Sequence, residues 1–182
     1  MKIVSLFAGC GGLDLGFHRA GHEIVHASDF DKDSVDTYNG YFKNKAELMD
    51  VHDLKGKDLP DYDLLAGGFP CQGFSVANIY RSKDDSRNQL YTQIVRLLKE
   101  SKPKFFLLEN VAGILSLEKG EVVKQIVKEL NIPVFLAGGL NPNNVRNAVD
   151  QVNPGGVDLC SGLRTNDKLD AEKLNAFVNN LW

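Results

Sequence analysis

Residues 5–17, SLFAGCGGLDLGF, decide the fold. The apolar run KIVSLF (2–7) leads into them and reads as a strand. From Leu13 onward the pattern reads as a helix, and Gly9, Gly11 and Gly12 lie between the two. Glycine at such a turn permits positive φ and lets a ligand come close to the backbone at a helix N-terminus. The spacing is G-x-G-G, so the G-x-G-x-x-G dinucleotide fingerprint is not matched. Taken alone, the same glycines equally describe a tight turn with a purely structural purpose.

Working outward, further apolar runs predict strands at 23–28 (EIVHAS), 46–49, 62–67 (YDLLAG), 104–109 (KFFLLE), 133–138 (PVFLAG) and 156–160 (GVDLC). Several are nearly continuous in hydrophobicity, as strands buried on both faces are. Between them apolar residues recur at helical spacing: Ile94, Val95, Leu97 and Leu98, then Val122, Val123, Ile126, Val127 and Leu130, and finally Leu174, Phe177, Val178 and Leu181. Strand followed by helix, repeated, predicts an α/β fold with parallel strands and right-handed crossovers. In 182 residues a doubly wound sheet is favoured over a closed barrel, which needs eight such units and about 200 or more residues. The expectation is one continuous α/β domain over 1–182, built on a single parallel sheet of seven strands.

Composition narrows the function. Hydrophobic residues make up 43% and charged residues 25%, enough for a core without disulfide or metal support. No apolar run approaches the roughly 20 residues of a membrane-spanning helix. The opening MKIVSLFAGCGG is too short in its apolar part for a leader and reads as the first strand. Cys10, Cys71 and Cys160 are odd in number and lack CxxC spacing, which predicts a reducing, cytoplasmic setting and no structural metal site. A net charge of -3 argues against strong non-specific nucleic-acid binding. Asparagine is distributed unevenly, with five in residues 1–130 and ten in 131–182, although no linker composition marks a boundary.

Polar residues at the predicted strand ends suggest a ligand. Asp29 and Phe30 end the second strand, where a carboxylate can accept from ribose hydroxyls and a ring can lie on adenine. Asp50 follows the third, placed to accept from an adenine amino group. Each acid taken singly also reads as a solvated strand-end carboxylate. The fourth strand runs into Phe69-Pro70-Cys71-Gln72, putting a thiol where α/β enzymes place their chemistry. An inert buried cysteine is the plainer alternative. Glu109 follows four apolar residues, so burial is expected to raise its pKa and suit it to acid catalysis; a helix-capping role is the alternative.

FAGCGGLDLGF (7–17), GGFPCQGFS (67–75) and ENV (109–111), in that order, resemble the motifs of the DNA cytosine-5 methyltransferases. DDSRNQLY (84–91) is similar to a further motif, with Asn88 where glycine is usual. The likeness covers about residues 1–130 and implies a Rossmann-like, S-adenosylmethionine-dependent fold. It implies that Phe7, Gly9, Cys10 and Gly12 contact that cofactor, with Asp29 on the ribose and Phe30 on the adenine. Asp50 and Val51 would meet the adenine edge, and Pro70 and Leu90 would line the pocket. Cys71 would add to C6 of a cytosine while Glu109 serves N3, so that C5 can take the methyl group; the base must first leave the duplex.

Three parts of that family's pattern are not found: an arginine motif of the form Q-x-R-x-R, a target-recognition region and a closing segment of the cofactor pocket. Residues 131–182 carry only four basic side chains, too few for a DNA clamp. Instead IPVFLAGGLNPNNVRNAV (132–149) and GVDLCSGLRTNDKLDAEKLNAFV (156–178) resemble the last two β/α units of the phosphoribosylanthranilate isomerases, with Arg164 where glutamate is usual. By that likeness the amides of Gly138, Gly139, Ser161 and Gly162 would hold a phosphate or sulfate. Asn141-Pro142 reads as a helix N-cap and first helical residue whose free amides would face that anion. The two glycines also make an ordinary βα turn. Isomerase activity is not expected, because the catalytic residues of that family belong to units absent here, and Cys160 takes no such role.

Two resemblances joined without a linker near Leu130–Ile132 imply an engineered chimera, with the βαβα piece extending the sheet. Three functional readings follow. The chain keeps the S-adenosylmethionine face, which would also take S-adenosylhomocysteine, without full catalysis; or it is a minimal active cytosine-5 methyltransferase; or it is a phosphate-binding module.

Overall fold

The computed structural model describes residues 1–69, 90–110 and 121–181, which gather into two compact units, Met1–Val111 and Ala112–Trp182. The first contains β1 (Lys2–Leu6), α1 (Gly12–Arg19), β2 (Glu23–Asp29), α2 (Lys32–Tyr41), β3 (Glu47–Leu48), β4 (Leu64–Gly67), α3 (Leu90–Ser101) and β5 (Phe105–Leu108). Its five strands form a parallel sheet in the order β3-β2-β1-β4-β5. Side chains alternate across that sheet. Ile3, Ile24, Ala27, Leu64 and Ala66 form one cluster with Val35 and Tyr38 of α2, while Val4 and Leu65 point the other way and are also fully buried. Both faces are therefore covered at the sheet's centre, which explains the nearly continuous apolar runs. Asp31 starts α2 by accepting the Ser34 N–H at 2.9 Å.

The second unit holds α4 (Glu121–Leu130), β6 (Phe135–Ala137), α5 (Val145–Val152), β7 (Gly156–Asp158), β8 (Arg164–Thr165), β9 (Lys168–Leu169) and α6 (Ala171–Leu181). β6 and β7 pair in parallel, and α4 lies against α5. Val145, Leu163 and Phe177 form the core, with Val149, Val157, Leu159, Leu174 and Leu181 packed on it.

Three expectations change here. The predicted seven-stranded sheet is not formed among the described residues: the ladder stops at β5, and β6 and β7 bond only to each other. Each of those two strands has three residues, and the βαβ crossover already supplies each with a partner. The antiparallel hairpin β8–β9 lies within a stretch with no strand in the prediction. Its Asn166 (φ 50) and Asp167 (φ 60) make a two-residue left-handed turn, the hairpin geometry that asparagine and aspartate tolerate. Lastly, α5 begins at Val145 rather than at Pro142. The Asn141 side chain accepts the Asn143 N–H at 2.9 Å, and the Asn141 carbonyl accepts the Asn144 and Val145 amides. Those amides are thus satisfied locally and do not await an anion. No helix among the described residues is long and apolar enough to cross a membrane.

A candidate cofactor crevice where the strand order reverses

The strand order reverses between β1 and β4, and in open α/β sheets the crevice beyond such strand ends takes ligands. Past β1 the backbone turns left-handed at Phe7 (φ 53), Gly9 (φ 54) and Gly11 (φ 87). Two hydrogen bonds staple this turn to β2: Ala8 N–H to the Ser28 carbonyl at 3.1 Å, and Gly9 N–H to Asp29 Oδ2 at 2.8 Å. Asp29 Oδ1 accepts the Asp31 N–H at 2.9 Å. The residue predicted to meet a ribose is therefore also the brace of the glycine turn, and each oxygen retains a second lone pair. A Cβ at Gly9 or Gly12 would meet nothing within 4 Å, so the turn opens onto free space. At Gly11 the opposite holds, since a Cβ there would overlap the Phe42 ring and come within 2.9 Å of Tyr38. Cys10 is exposed, and Phe30 presents its ring with 65% exposure.

Beneath the turn lies a charged group that the sequence reading passed over. Asp14, on the first turn of α1, is fully buried. Ser5 Oγ donates to its Oδ1 at 2.6 Å and the Tyr38 hydroxyl to its Oδ2 at 2.8 Å. Burial pushes the Asp14 carboxyl up, opposed by the two hydroxyl donors. Burial, together with the neighbouring carboxylate, also pushes the Tyr38 hydroxyl up. The carboxyl thus ties β1, α1 and α2 together directly under the glycines.

On the far side of β2, Asp50 Oδ1 accepts the His52 N–H at 2.9 Å and lies 2.6 Å from His52 Nδ1. These contacts hold Asp50 below the usual carboxylate range. Val51 is buried beside it. The chain that follows is gripped by Arg96 of α3, whose first residue, Leu90, is half-buried.

Across the crevice, Gly67 ends β4, and a Cβ there would stand 3.3 Å from the Leu6 carbonyl and 3.7 Å from the Phe7 ring. Glu109 follows β5 and donates its N–H to the Gly67 carbonyl at 3.0 Å. Its Oε2 lies 3.1 Å from where a Gly68 Cβ would be, and Asn110 Nδ2 donates to the Phe69 carbonyl at 2.9 Å. Glu109 and Asn110 are thereby joined to the segment that leads into Pro70 and Cys71, which themselves lie outside the described residues. Contrary to the sequence expectation, Glu109 is exposed. Of the β5 residues that lead to it, Phe105 is 58% and Leu107 43% exposed.

In the second unit, Gly138 (φ 107) and Gly139 (φ 63) make the turn after β6, and a Cβ on either would meet nothing within 4 Å. A Cβ on Gly162 would overlap the Leu140 carbonyl, so the 3₁₀ turn Ser161–Leu163 rests directly on this loop. The Gly139 carbonyl accepts from Asn144 Nδ2 at 3.0 Å. Cys160 is exposed. Among the described residues no group of three or more His, Cys, Asp or Glu is gathered to hold a metal ion.

The residues missed from sequence are Asp14, His52 and Arg96. Only Arg96 left a local signal, its i,i+4 spacing to Glu100.

A family model for C-5 cytosine-specific DNA methylase matches residues 1–132. The type II methyltransferase M.FnuDI of Fusobacterium nucleatum is 46% identical over 129 residues, which is 71% of this chain and 38% of that protein. Among solved structures, a DNA modification methyltransferase encoded within an E. coli prophage aligns with a TM-score of 0.61 at 35% identity, over 72% of this chain and 38% of the other. The S. pombe Dnmt2 methyltransferase aligns with a TM-score of 0.60 at 26% identity, over 80% of this chain and 46% of the other. The chain thus spans about two-fifths of the length of the curated relatives it matches. Phosphoribosylanthranilate isomerases align with TM-scores of only 0.43 and 0.46, a likeness that supports no conclusion.

Proposed function

Because the chain belongs to the C-5 cytosine-specific DNA methylase family, we propose that its first unit binds S-adenosylmethionine in the crevice beyond β1 and β4 and that Cys71 and Glu109 are its catalytic pair. One observation carries this reading. A glycine turn braced by Asp29 opens onto free space at the reversal of strand order, with Asp29–Phe30 and Asp50–Val51 at the next strand ends. The residues fit the group. Phe7, Gly9, Cys10 and Gly12 offer backbone and open space to its amino-acid part, and Asp29 keeps lone pairs for ribose hydroxyls. The exposed Phe30 ring offers a face to adenine, and Asp50 with Val51 offers an edge. Pro70 and Leu90 would complete the lining.

When bound, the cofactor supplies an electrophilic methyl group. Cys71 Sγ, as thiolate, forms a bond to C6 of an extruded cytosine, and its electron pair displaces the C5=C6 π electrons toward C5 and the ring. The Glu109 carboxyl donates its proton to N3, so that charge does not accumulate on the ring. Once C5 holds the methyl group, its former bond to the sulfonium sulfur broken and S-adenosylhomocysteine left behind, the C5 proton leaves to water, the C6–S bond breaks and the thiolate is restored, while N3 returns its proton to Glu109.

The chain by itself is proposed to hold the cofactor without completing this cycle on DNA. Supporting this, it spans two-fifths of its relatives and has only four basic side chains in residues 131–182. Calorimetric titration with S-adenosylhomocysteine is expected to show weak binding that a Cys71→Ser change leaves intact. A labelled-methyl transfer assay on mixed-sequence DNA is expected to stay at background. Absence of binding sinks the cofactor reading, whereas Cys71-dependent transfer replaces the proposal with that of a minimal active methyltransferase.

A second reading concerns residues 131–182, proposed to derive from an isomerase barrel and to bind phosphate or sulfate through the amides of Gly138, Gly139, Ser161 and Gly162. The close approach of Gly162 to Leu140 favours it, because it brings the two loops together. The family match ending at residue 132, beside the apparent seam, supports two origins for the chain. Saturable amide shifts confined to these residues on phosphate addition are expected; shifts elsewhere, or none, overturn the reading.

A further inference from the structure

The backbone after Asp50 is held by one guanidinium. Arg96 donates through Nη2 to the carbonyls of Val51 at 3.0 Å and Leu54 at 2.8 Å. Its Nε donates to Gln93 Oε1 at 2.8 Å and its Nη1 to Glu100 Oε1 at 3.1 Å, so the fork itself is fixed. Glu100 then accepts the Gly56 N–H through Oε2 at 2.7 Å. At Gly56 a Cβ would come within 2.6 Å of Glu100 Cβ, which explains the glycine. Two side chains of α3 thus grip both ends of residues 51–56. Val51 and Leu54 are buried, and their carbonyls find in Arg96 the donor that burial requires. A lysine could bring one nitrogen to the same carbonyls, but it carries no planar fork with which Gln93 and Glu100 could fix that nitrogen in place.

We propose that Arg96 is a positioning residue for purine recognition. By fixing the backbone of 51–56 it sets where the Asp50 carboxylate and the Val51 backbone stand, and so whether the exocyclic amino group of an adenine is accepted. Arg96 touches no ligand itself. The inference rests on the cofactor reading above and deepens it, adding that selectivity for adenine over its deaminated form depends on a residue of α3.

The test uses the full chain and two probes, S-adenosylhomocysteine and S-inosylhomocysteine, in which a carbonyl replaces the adenine amino group. Calorimetry is run on the wild type, Arg96→Met, Arg96→Lys and Glu100→Gln, with hydrogen exchange of residues 51–56 followed without ligand. The wild type is expected to prefer the adenosine form about tenfold, the worth of one good hydrogen bond. Arg96→Met is expected to lose that preference through weaker adenosine binding alone and to speed exchange at 51–56. Arg96→Lys and Glu100→Gln are expected to fall between, and they remain informative if the methionine variant does not fold.

Equal weakening of both ligands overturns the inference, because a merely structural role has no reason to distinguish them. Preference retained at wild-type level, or unchanged exchange at 51–56, overturns it as well. A wild type that binds neither nucleoside overturns the cofactor reading and this inference with it. A wild type that discriminates, with variants that discriminate equally, removes this inference alone.

Discussion

The two compact units follow the same strand–helix–strand grammar, yet they obtain very different burial from it. In β1 four of five residues are buried, and in β4 all four are. β6 and β7 contain no buried residue. Position in the sheet explains the contrast. β1 and β4 have neighbours on both edges and cover on both faces, whereas a two-stranded ladder is all edge. The second unit compensates with a core drawn from helix and loop, through Val145, Leu163 and Phe177. Apolar strands therefore stabilise only as much as the sheet around them allows.

That contrast can be broken by measurement. The largest effect is expected from Leu65→Ala at the centre of β4, which should cost about 2–5 kcal/mol in urea denaturation of the first unit. Val157→Ala, on half-buried β7, should cost about 1 kcal/mol or less in the second. Equal losses would refute the comparison. Next comes Gly162→Ala, which drives a methyl group into the Leu140 backbone carbonyl and should cost about 1–3 kcal/mol. Gly156→Ala meets only the exposed Phe135 ring, which can swing away, so its thermal midpoint should move less.

Smaller effects are expected from pH, with opposite signs at one carboxyl in each unit. Asp14 has its carboxyl raised by burial, so the folded first unit holds that proton more tightly than the unfolded chain does. Its contribution is complete below the ordinary carboxyl value of 3.8 and is lost as pH rises through the raised folded value. Comparing Asp14→Asn with the wild type across that window should isolate a downward slope that the variant lacks. Asp170 of the second unit is instead lowered, first by the Thr165 hydroxyl and then by the Lys173 amide. Its contribution is present above 3.8 and lost as pH falls through the lowered value. Asp170→Asn should flatten that acid limb, and a difference between variant and wild type of the same sign for Asp14 and Asp170 would undo the distinction.

The strands, the glycine turn and the strand-end acids were legible because each is written in a few consecutive residues. β1, β2, β4 and β5 fall within a residue or two of their predicted bounds, and Asp29 ends β2 as expected. What escaped depends on residues far apart in the chain. Asp14 looks like any polar helical residue until Ser5 and Tyr38 close over it, and nothing near Arg96 announces Val51 or Leu54. The exposure of Glu109 could not be read from the four apolar residues before it, because burial is decided by what covers a strand and not by its composition. The chain's internal boundary shows the same limit. Family likeness reaches residue 132, yet packing divides the chain at residue 111, so α4 belongs by sequence to one part and by contact to the other.

Phe7 carries a left-handed backbone that glycine would adopt without penalty, at a cost of about 1–2 kcal/mol for an aromatic residue. Its ring stands over Gly67 at the mouth of the crevice. Phe7→Gly would relieve that backbone, but it would also give up the half-buried ring and loosen the unfolded chain, so the ring keeps its place against its own φ. The residue marks a place where the local backbone and the crevice wall ask for different amino acids, and where easing the turn would erase the wall.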